Sequence, residues 1–518
     1  MSYVQYIMEE ALSLTKEYSA TFGEALYKLI NYYESTSHAT YRISYERYKT
    51  SKAGTPIMSR ELDDFMKVNN RINNNFLAEA IDTKVGYMIG IPITYSAKDP
   101  YVYEKEPTED EKRRDKIKMN KIKNTLTKVS KNIAINNLNS ETVKLSAICG
   151  TSSRLLYVSN QDKNDIIEHI KVMNLKPWET IFIYDDCEPV VAIRYYKVPV
   201  VTTDDRVEER YKVEIYDNQN IYYYAQTATN DFEVAFEGYF DEELGELMYW
   251  REHLFSGVPL IEFPNNDERQ GDCHRVLELI DAYDRALSDW GSELEQFRLA
   301  YIALYGLKSG KEELSRLKQT GMFEMTKEGK IEFVTKNLNV EAVEKYLAKL
   351  ETNIVRFCKS VNFKDENFYG NLSGVAIRYK LMAMEEKSIM VQNKFEYSED
   401  SMWKLMENLV KQYEPNFDHK FICRHFTRNI PVNILEEARV QDTLRGNIST
   451  HTRFTKASFI PDADIEYEAY LDEIEEYLKR GIDFMSGKGN SPEIKSSDAE
   501  AGTIKDRNTN GPLEDLKK

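Results

Sequence analysis

Cysteine and histidine are scarce in this chain, and neither is arranged for metal or disulfide chemistry. The five cysteines of the 518 residues are Cys149, Cys187, Cys273, Cys358 and Cys423, scattered, odd in number and without CxxC spacing. That excludes a disulfide framework and reads as free thiols in a reducing compartment. The seven histidines are isolated. Cys273-His274 and Cys423-Arg-His425 have no second ligand pair nearby, which argues against zinc. No stretch approaches the roughly 20 apolar residues that cross a bilayer. The start, MSYVQYIMEEALSLTKEYS, has no basic segment followed by an apolar run, so no secretory leader is expected. These absences predict a soluble protein made inside the cell, with no membrane partner.

Catalytic signatures are absent too. The sequence holds no HExxH, GxSxG, GxGxxG or EF-hand loop. Gly306-Leu-Lys-Ser-Gly310-Lys311-Glu312 approximates a phosphate loop, but it is one spacer short and has Glu where Ser or Thr would hold Mg²⁺. It reads as a helix exit and turn. Asp185-Asp186-Cys187-Glu188 is acidic enough for a metal, yet fits a strand-to-strand turn better. The expectation is no enzyme, no cofactor, no metal and no catalytic residue.

Tyrosine, by contrast, is abundant, at 35 copies. An amphipathic ring suits wide, partly wet interfaces, although codon bias in an AT-rich genome accounts for it equally well. The net charge is −17. Proteins that grip nucleic acid neutralise phosphates with Lys and Arg, so this chain is not a simple clamp. An acidic chain can still handle DNA that must slide without sticking. The length calls for roughly two to four packed regions.

Residues 1–90 read as helical, with a polar loop around Lys52–Pro56, followed by a short strand in Gly90–Tyr95. A charged helix is expected over 107–135, basic from Lys112 to Lys131, as a nucleic-acid face or, more commonly, a solvated outer helix. Residues 150–262 carry closely spaced β-branched and aromatic runs, Leu155–Val158, Thr180–Tyr184, Val190–Tyr196, Tyr211–Tyr216 and Ile221–Tyr224, which predict antiparallel strands.

Two heptad runs come next. Val276, Ile280, Tyr283, Leu287, Trp290, Leu294, Phe297, Tyr301 and Leu304 recur at alternating spacings of four and three, and so do Val340, Val343, Leu347, Leu350, Ile354, Phe357 and Val361. Each predicts a long helix packed along a seam, the first on the order of 45 Å long. Between them a short helix near Lys311–Leu317 and a hairpin of Met322–Met325 with Lys330–Val334 are expected. A polar, aromatic loop, Asn362–Asn371, precedes a third long helix from about Ser373 to Tyr413, stopped by Pro415. Residues 431–485 read as helical, and the Gly/Ser/Asn-rich 486–518 as disordered.

From Asp272 to Leu304, seven acids (Asp272, Glu278, Asp281, Asp284, Asp289, Glu293, Glu295) face three arginines. In a monomer this is a solvated face; around a channel it would repel phosphates. The second run carries Lys345, Lys349, Arg356 and Lys359, which are expected to pair with acids of the first, within or between subunits.

This order of elements resembles the portal (head-to-tail connector) proteins of long-tailed siphophages. The resemblance is carried by Ile72-Asn-Asn-Asn-Phe76 through Lys84–Pro92, Phe255–Pro259 through Glu262–Asn266, Leu279–Tyr283 with Ser288-Asp289, Asn371–Ala376, and Ile448–Thr452 through Asp464–Glu468. It implies an α+β, mainly α portal fold, with long stem helices, a sheet-containing wing, a small α/β clip and a helical crown. The implied division is wing 1–270, stem helix 271–306, clip 307–336, stem helix 337–361, tunnel loop 362–372, long wing helix and connection 373–430, crown 431–485 and tail 486–518. It further implies a dodecameric ring at one capsid vertex of the virion, assembled in the host cytoplasm. Double-stranded DNA would pass through it, with terminase, head-completion or adaptor proteins, the major capsid protein and scaffolding protein as partners.

On that resemblance Asn362, Phe363, Lys364, Asp365, Glu366, Asn367, Phe368 and Tyr369 would face the channel. There Lys364 and the aromatic rings touch DNA weakly, or the rings pack on the neighbouring loop. Glu278, Asp281, Asp284, Asp289 and Glu293 with the four bases above would set the stem electrostatics. Lys311, Glu313, Arg316, Phe323, Met325, Lys330 and Phe333 would face clip partners. Two rivals remain: another coiled-coil structural or scaffolding protein of a virion, and a nucleic-acid enzyme with carboxylates converging from distant segments.

Overall fold

The computed structural model describes residues 22–62, 68–98, 108–159, 166–185, 188–201, 206–227, 231–234, 239–241, 246–248, 250–297, 301–305, 330–334, 340–362, 374–430, 434–457, 459–460 and 463–485. The chain divides into two compact units, Met1–Asn433 and Ile434–Lys518. The expected tail at 486–518 and most of the loop after the second heptad run lie outside the described residues.

The fold is mixed α+β. Helices α1 (Phe22–Ser35), α2 (Ser37–Tyr48) and α3 (Phe76–Ile89) open the first unit, with strand β1 (Thr94–Ala97) after them. Helix α4 (Glu109–Asn132) starts with a reciprocal cap: Thr108 Oγ1 accepts from Glu111 N and the Glu111 carboxylate accepts from Thr108 N. Its Ile122, Leu126 and Val129 are buried at helical spacing. Two of its lysines fold back on aromatic rings, Lys118 over Phe421 and Lys128 over Tyr413. This helix therefore packs one face on the core. Helix α5 (Ile135–Cys149), which the sequence reading passed over, follows and is buried on most sides.

Strands β2 (Thr151–Val158), β3 (Ile170–Leu175), β4 (Thr180–Asp185), β5 (Glu188–Val201), β6 (Val207–Tyr216), β7 (Asn220–Gln226), β8 (Phe232–Val234), β9 (Tyr239–Asp241), β10 (Glu246–Met248), β11 (Trp250–Glu252) and β12 (Leu260–Pro264) are antiparallel throughout. Six of them form one sheet in the order β11-β7-β6-β5-β4, with β8 on β7; three form a second in the order β12-β2-β3. Strand alternation explains the layering. Val191, Ile193 and Tyr195 with Val213 and Ile215 point to one side, where they meet Leu26 and Ile30 of α1. Ala192 and Tyr216 point to the other side, against Leu155, Leu175 and Leu260 of the second sheet.

Helix α6 (Leu277–Phe297) is followed by strand β13 (Tyr301–Tyr305), which pairs with β14 (Lys330–Val334) from Tyr301↔Val334 to Tyr305↔Lys330. Two expectations are corrected here. The first heptad run does not stay helical to Leu304, and β14 pairs with residues 301–305, where Met322–Met325 had been expected. The reason is that Tyr301-Ile-Ala-Leu-Tyr305 satisfies an alternating pattern as well as a heptad one, and the five residues before Gly306 are too short to separate the two by period. Met322–Met325 and the helix near Lys311 lie outside the described residues.

Helix α7 (Val340–Cys358) carries the second run. Helix α8 (Gly374–Val410), 37 residues and about 55 Å long, lies along the second sheet, with Val391, Phe395, Met402, Trp403 and Met406 in the core beside Leu156 and Phe263. Ser373, its expected cap, is outside the described residues. Strand β15 (Ile422–His425) pairs antiparallel with β1. The second unit holds α9 (Ile434–Thr443), α10 (Thr450–Thr455), capped by Ser449 Oγ accepting from Thr452 N, and α11 (Ala463–Met485). His451 and Phe454 meet Tyr467 and Tyr470 edge-on. No helix among the described residues is long and apolar enough to cross a membrane.

Candidate functional site: the paired helices and their fastenings

Helices α6 and α7 pack together through the expected seam. Val276, Ile280, Ile354 and Cys358 share one buried cluster with Leu77, Ile81 and Cys149, and Leu347 and Leu350 are buried higher on α7. Tyr283 meets Phe76 edge-on, ring centroids 4.9 Å apart. Not every heptad position is covered: Leu294 and Phe357 are exposed.

The acids of α6 are fastened within the chain by the N-terminal segments, and the bases of α7 point elsewhere. Arg47 of α2 makes a two-pronged contact with Asp281, 2.9 Å at each prong, and Arg60 reaches Asp289 at 2.5 Å. Residues 69–75 lie along α6 as a strap. Asn70 N donates to Ser292 Oγ at 3.0 Å, Ile72 N to Ser288 Oγ at 2.9 Å, Asn73 Nδ2 to Asp284 Oδ2 at 2.8 Å and Asn74 N to Asp284 Oδ1 at 3.1 Å. Asn75 ends the strap in the left-handed region (φ 41°), where asparagine is tolerated, and its side chain accepts from Ala78 N to cap α3. Asp284 is buried, and desolvation raises its carboxyl to about 6 in spite of these donors.

Within the chain, Asp281, Asp284 and Asp289 of the first run are engaged by segments more than 200 residues away, because the strap covers the acidic face of α6; the alternative pairing between subunits is a separate matter. Glu278 is exposed and Glu293 half-buried. On α7, Lys345 pairs with Glu341 of its own helix, Lys349 is exposed, the Arg356 guanidinium lies over the Phe357 ring, and Lys359 stands 3.9 Å from Glu386 of α8.

At the base of the pair sits a buried charge cluster. Asp272 takes Lys84 at 2.7 Å and Lys387 at 3.1 Å, and accepts from Asn265 Nδ2 at 2.9 Å. Lys84 and the Asp272 side chain are almost wholly buried. Burial opposes the Asp272 charge, but the two flanking lysines outweigh it and hold the carboxyl below its usual range. Lys387 also donates to the carbonyls of Asp272 and Cys358 at 3.2 Å each, so α8 grips the entrance to α6 and the last turn of α7 at once. Cys273 and Cys358 are free thiols with sulfurs 3.6 Å apart.

Sequence reasoning missed Arg47, Arg60, Lys84 and Lys387. One signal was available: Lys84 stands in the apolar helix Phe76–Ile89, where a charge implies a buried partner.

Of the loop residues singled out, Asn362 donates to Glu351 at 3.3 Å; Phe363, Lys364, Asp365, Glu366, Asn367, Phe368 and Tyr369 lie outside the described residues. Lys311, Glu313, Arg316, Phe323 and Met325 do too, while Lys330 and Phe333 lie on β14. Among the described residues, Glu407, Asp418 and His419 form a group with the spacing to hold a metal ion. The His419 ring and Lys411 already bond to Glu407, so the carboxylate is satisfied without one.

Comparison with known proteins gives a consistent answer. The family model described as "Phage portal protein, SPP1 Gp6-like" matches residues 24–480. The portal protein of Clostridium phage phiCD119 is 24% identical over 443 residues, 83% of this chain and 90% of that protein. The portal protein of Bacillus phage SPP1 is 22% identical over 464 residues, 86% of this chain and 84% of that protein.

Proposed function

The chain belongs to the SPP1 Gp6-like family of phage portal proteins, and from that premise we propose that it forms a ring, dodecameric in the virion, at one capsid vertex. The ring is the DNA channel for packaging and ejection, docks the terminase and then head-completion or tail proteins, and nucleates procapsid assembly with major capsid and scaffolding proteins in the host cytoplasm. It works as a structural conduit and hydrolyses nothing itself. The observation that carries this reading is the span of the family match, residues 24–480, which reaches from α1 to α11.

On this reading residues 1–270 form the wing, 271–306 and 337–361 the stem, and 307–336 the clip that meets the terminase and adaptors through Lys311, Glu313, Arg316, Phe323, Met325, Lys330 and Phe333. Residues 362–372 form the tunnel loop, 373–430 the helix returning to the wing, and 431–485 the crown. The pairing of α6 with α7, tied to α8 through Lys387, supports the stem assignment, since a channel wall needs stiff elements fastened at one end.

Electron microscopy of the purified protein with particle mass measurement tests the ring. Twelve- or thirteen-fold rings with a central hole are expected; compact monomers, dimers or filaments at all salt and protein concentrations refute it. Lys364→Glu tests the tunnel loop, with packaging impaired and rings intact. Unchanged packaging removes that residue from the DNA path.

A further inference from the structure

Helix α8 has two apolar faces, and among the described residues only one is covered by the chain. Leu381, Met384, Val391 and Phe395 are buried against the body of the first unit. On the opposite side Tyr379 (72% exposed), Met382 (55%), Ile389 (45%), Met390 (64%) and Tyr397 (64%) form a second stripe. Their successive spacings of three, seven, one and seven residues keep them within about 100° of one another around the helix, for about 27 Å. Five large apolar side chains in a row exceed the scattered exposure of an ordinary surface and mark an interaction face.

A closed ring needs two unlike, complementary patches on each subunit, one for each neighbour. Helix α7 carries a second exposed stripe of different character: Tyr346 (51%) and Phe357 (56%), with Lys349 and Arg356 between them. The exposed charge within the α8 stripe is Glu386, opposite in sign. Tyr, Phe, Met and Arg are also the residues enriched in the buried centres of protein interfaces.

We propose that the exposed stripe of α8 seats against the exposed stripe of α7 in a second copy of this chain. Glu386, which already stands 3.9 Å from Lys359 of its own chain, also faces the partner's cations, and the aromatic and methionine side chains of both helices close over the seam. The proposal rests on the ring reading above and assigns the surfaces that make the ring.

The test uses the full chain. A photo-crosslinking amino acid at position 390 is irradiated in rings co-assembled from isotopically light and heavy subunits. Mixed light–heavy adducts mapping to residues 340–358 are expected. Crosslinks confined to one chain, or mapping elsewhere on a neighbour, overturn the proposal. In parallel, Met390→Glu with Tyr397→Glu is expected to raise the concentration for half-assembly by about tenfold or more, with helical circular dichroism unchanged, while Met390→Leu assembles as wild type. Rings of the double variant at wild-type concentration overturn it. If the unmodified chain forms no ring at any concentration, the ring reading itself fails and this assignment falls with it. Rings formed equally by the wild type and by the double variant defeat the assignment alone.

Discussion

Asp272→Asn isolates the charge cluster at the base of the paired helices, because it changes charge and almost nothing in shape. In the native chain one carboxylate sits between two ammonium groups, 2.7 Å from Lys84 and 3.1 Å from Lys387. The substitution leaves both lysines facing each other across a neutral amide, with Lys84 almost wholly buried. Removing one partner of a buried ion pair costs about 3–5 kcal/mol. The molecule has one escape: Lys84 can release its proton. From an ordinary pKa near 10.4 that costs about 4.6 kcal/mol at pH 7 and about 1.9 kcal/mol at pH 9. A lysine left neutral in the fold has a depressed folded pKa, so the unfolded chain binds the extra proton and the variant gains stability as pH rises. The destabilisation should therefore be about 3–5 kcal/mol at pH 7 and shrink to about 2 kcal/mol or less at pH 9.

Hydrogen exchange of peptides covering 84–89, 272–280 and 384–391 reads this locally, separating the cluster from the rest of the chain. At pH 7 those peptides should lose protection by about a hundredfold or more, and less at pH 9 relative to wild type under the same conditions. Adding Lys84→Met to Asp272→Asn should restore part of the protection. Wild-type protection in Asp272→Asn at pH 7, or a loss of equal size at both pH values, would refute the account.

Three further substitutions probe the fastenings. Asp284 is raised to about 6 by burial, so the folded chain holds its proton where the unfolded chain has lost it, and stability falls as pH climbs from about 4 to 6; in thermal melts, the wild type should lose ground to Asp284→Asn across that window and hold a constant offset above pH 7. Arg154 is fully buried and donates to Thr142 Oγ1 and Asn139 Oδ1, both at 2.8 Å, with its guanidinium 4.4 Å from the Phe263 ring centroid. Arg154→Lys loses that planar fork and should cost about 3 kcal/mol, read as a lower urea midpoint; an unchanged midpoint refutes the role. Gly150 has φ 99° and a Cβ there would stand 2.1 Å from the Arg269 carbonyl oxygen, so Gly150→Ala should cost about 2 kcal/mol or more, and a melt matching wild type would show that the turn yields.

Much of the fold was legible because its signals are local. The strands from β4 to β7 announced themselves as β-branched and aromatic runs, and Leu347, Leu350 and Ile354 of α7 announced a seam. What failed was of two kinds. Short segments such as Tyr301–Tyr305 fit a heptad and an alternating pattern at once, and only the pairing with Lys330–Val334 decides between them. Long-range polar contacts leave no periodicity. Asn73 and Asn74 were recognisable as part of a shared segment, yet nothing local to them or to Asp284 says that the two meet across 210 positions. Lys84 was the exception, since a lysine inside an apolar helix asks for a partner.

On the proposed ring reading, the in-chain contacts also change what the acidic helix could do in a channel. Between Asp272 and Leu304, seven acids against three arginines leave four uncompensated negative charges. Arg47 and Arg60 dock on Asp281 and Asp289 along α6, and Lys84 and Lys387 enclose Asp272 at the buried base, so the chain itself supplies four positive charges to this segment. The surplus falls to zero before any neighbouring subunit or DNA is considered. Phosphates beyond a Debye length, about 8 Å at physiological salt, therefore meet a locally neutral helix pair, and the repulsion that would let DNA slide cannot originate in these acids. If the channel wall is acidic, its charge must come from elsewhere in the net −17 of the chain. Arg47→Ala and Arg60→Ala together would restore two negative charges per subunit to this surface. Multiplied around a ring they should change the rate of DNA entry if α6 faces the channel, and packaging at the wild-type rate would count against that placement.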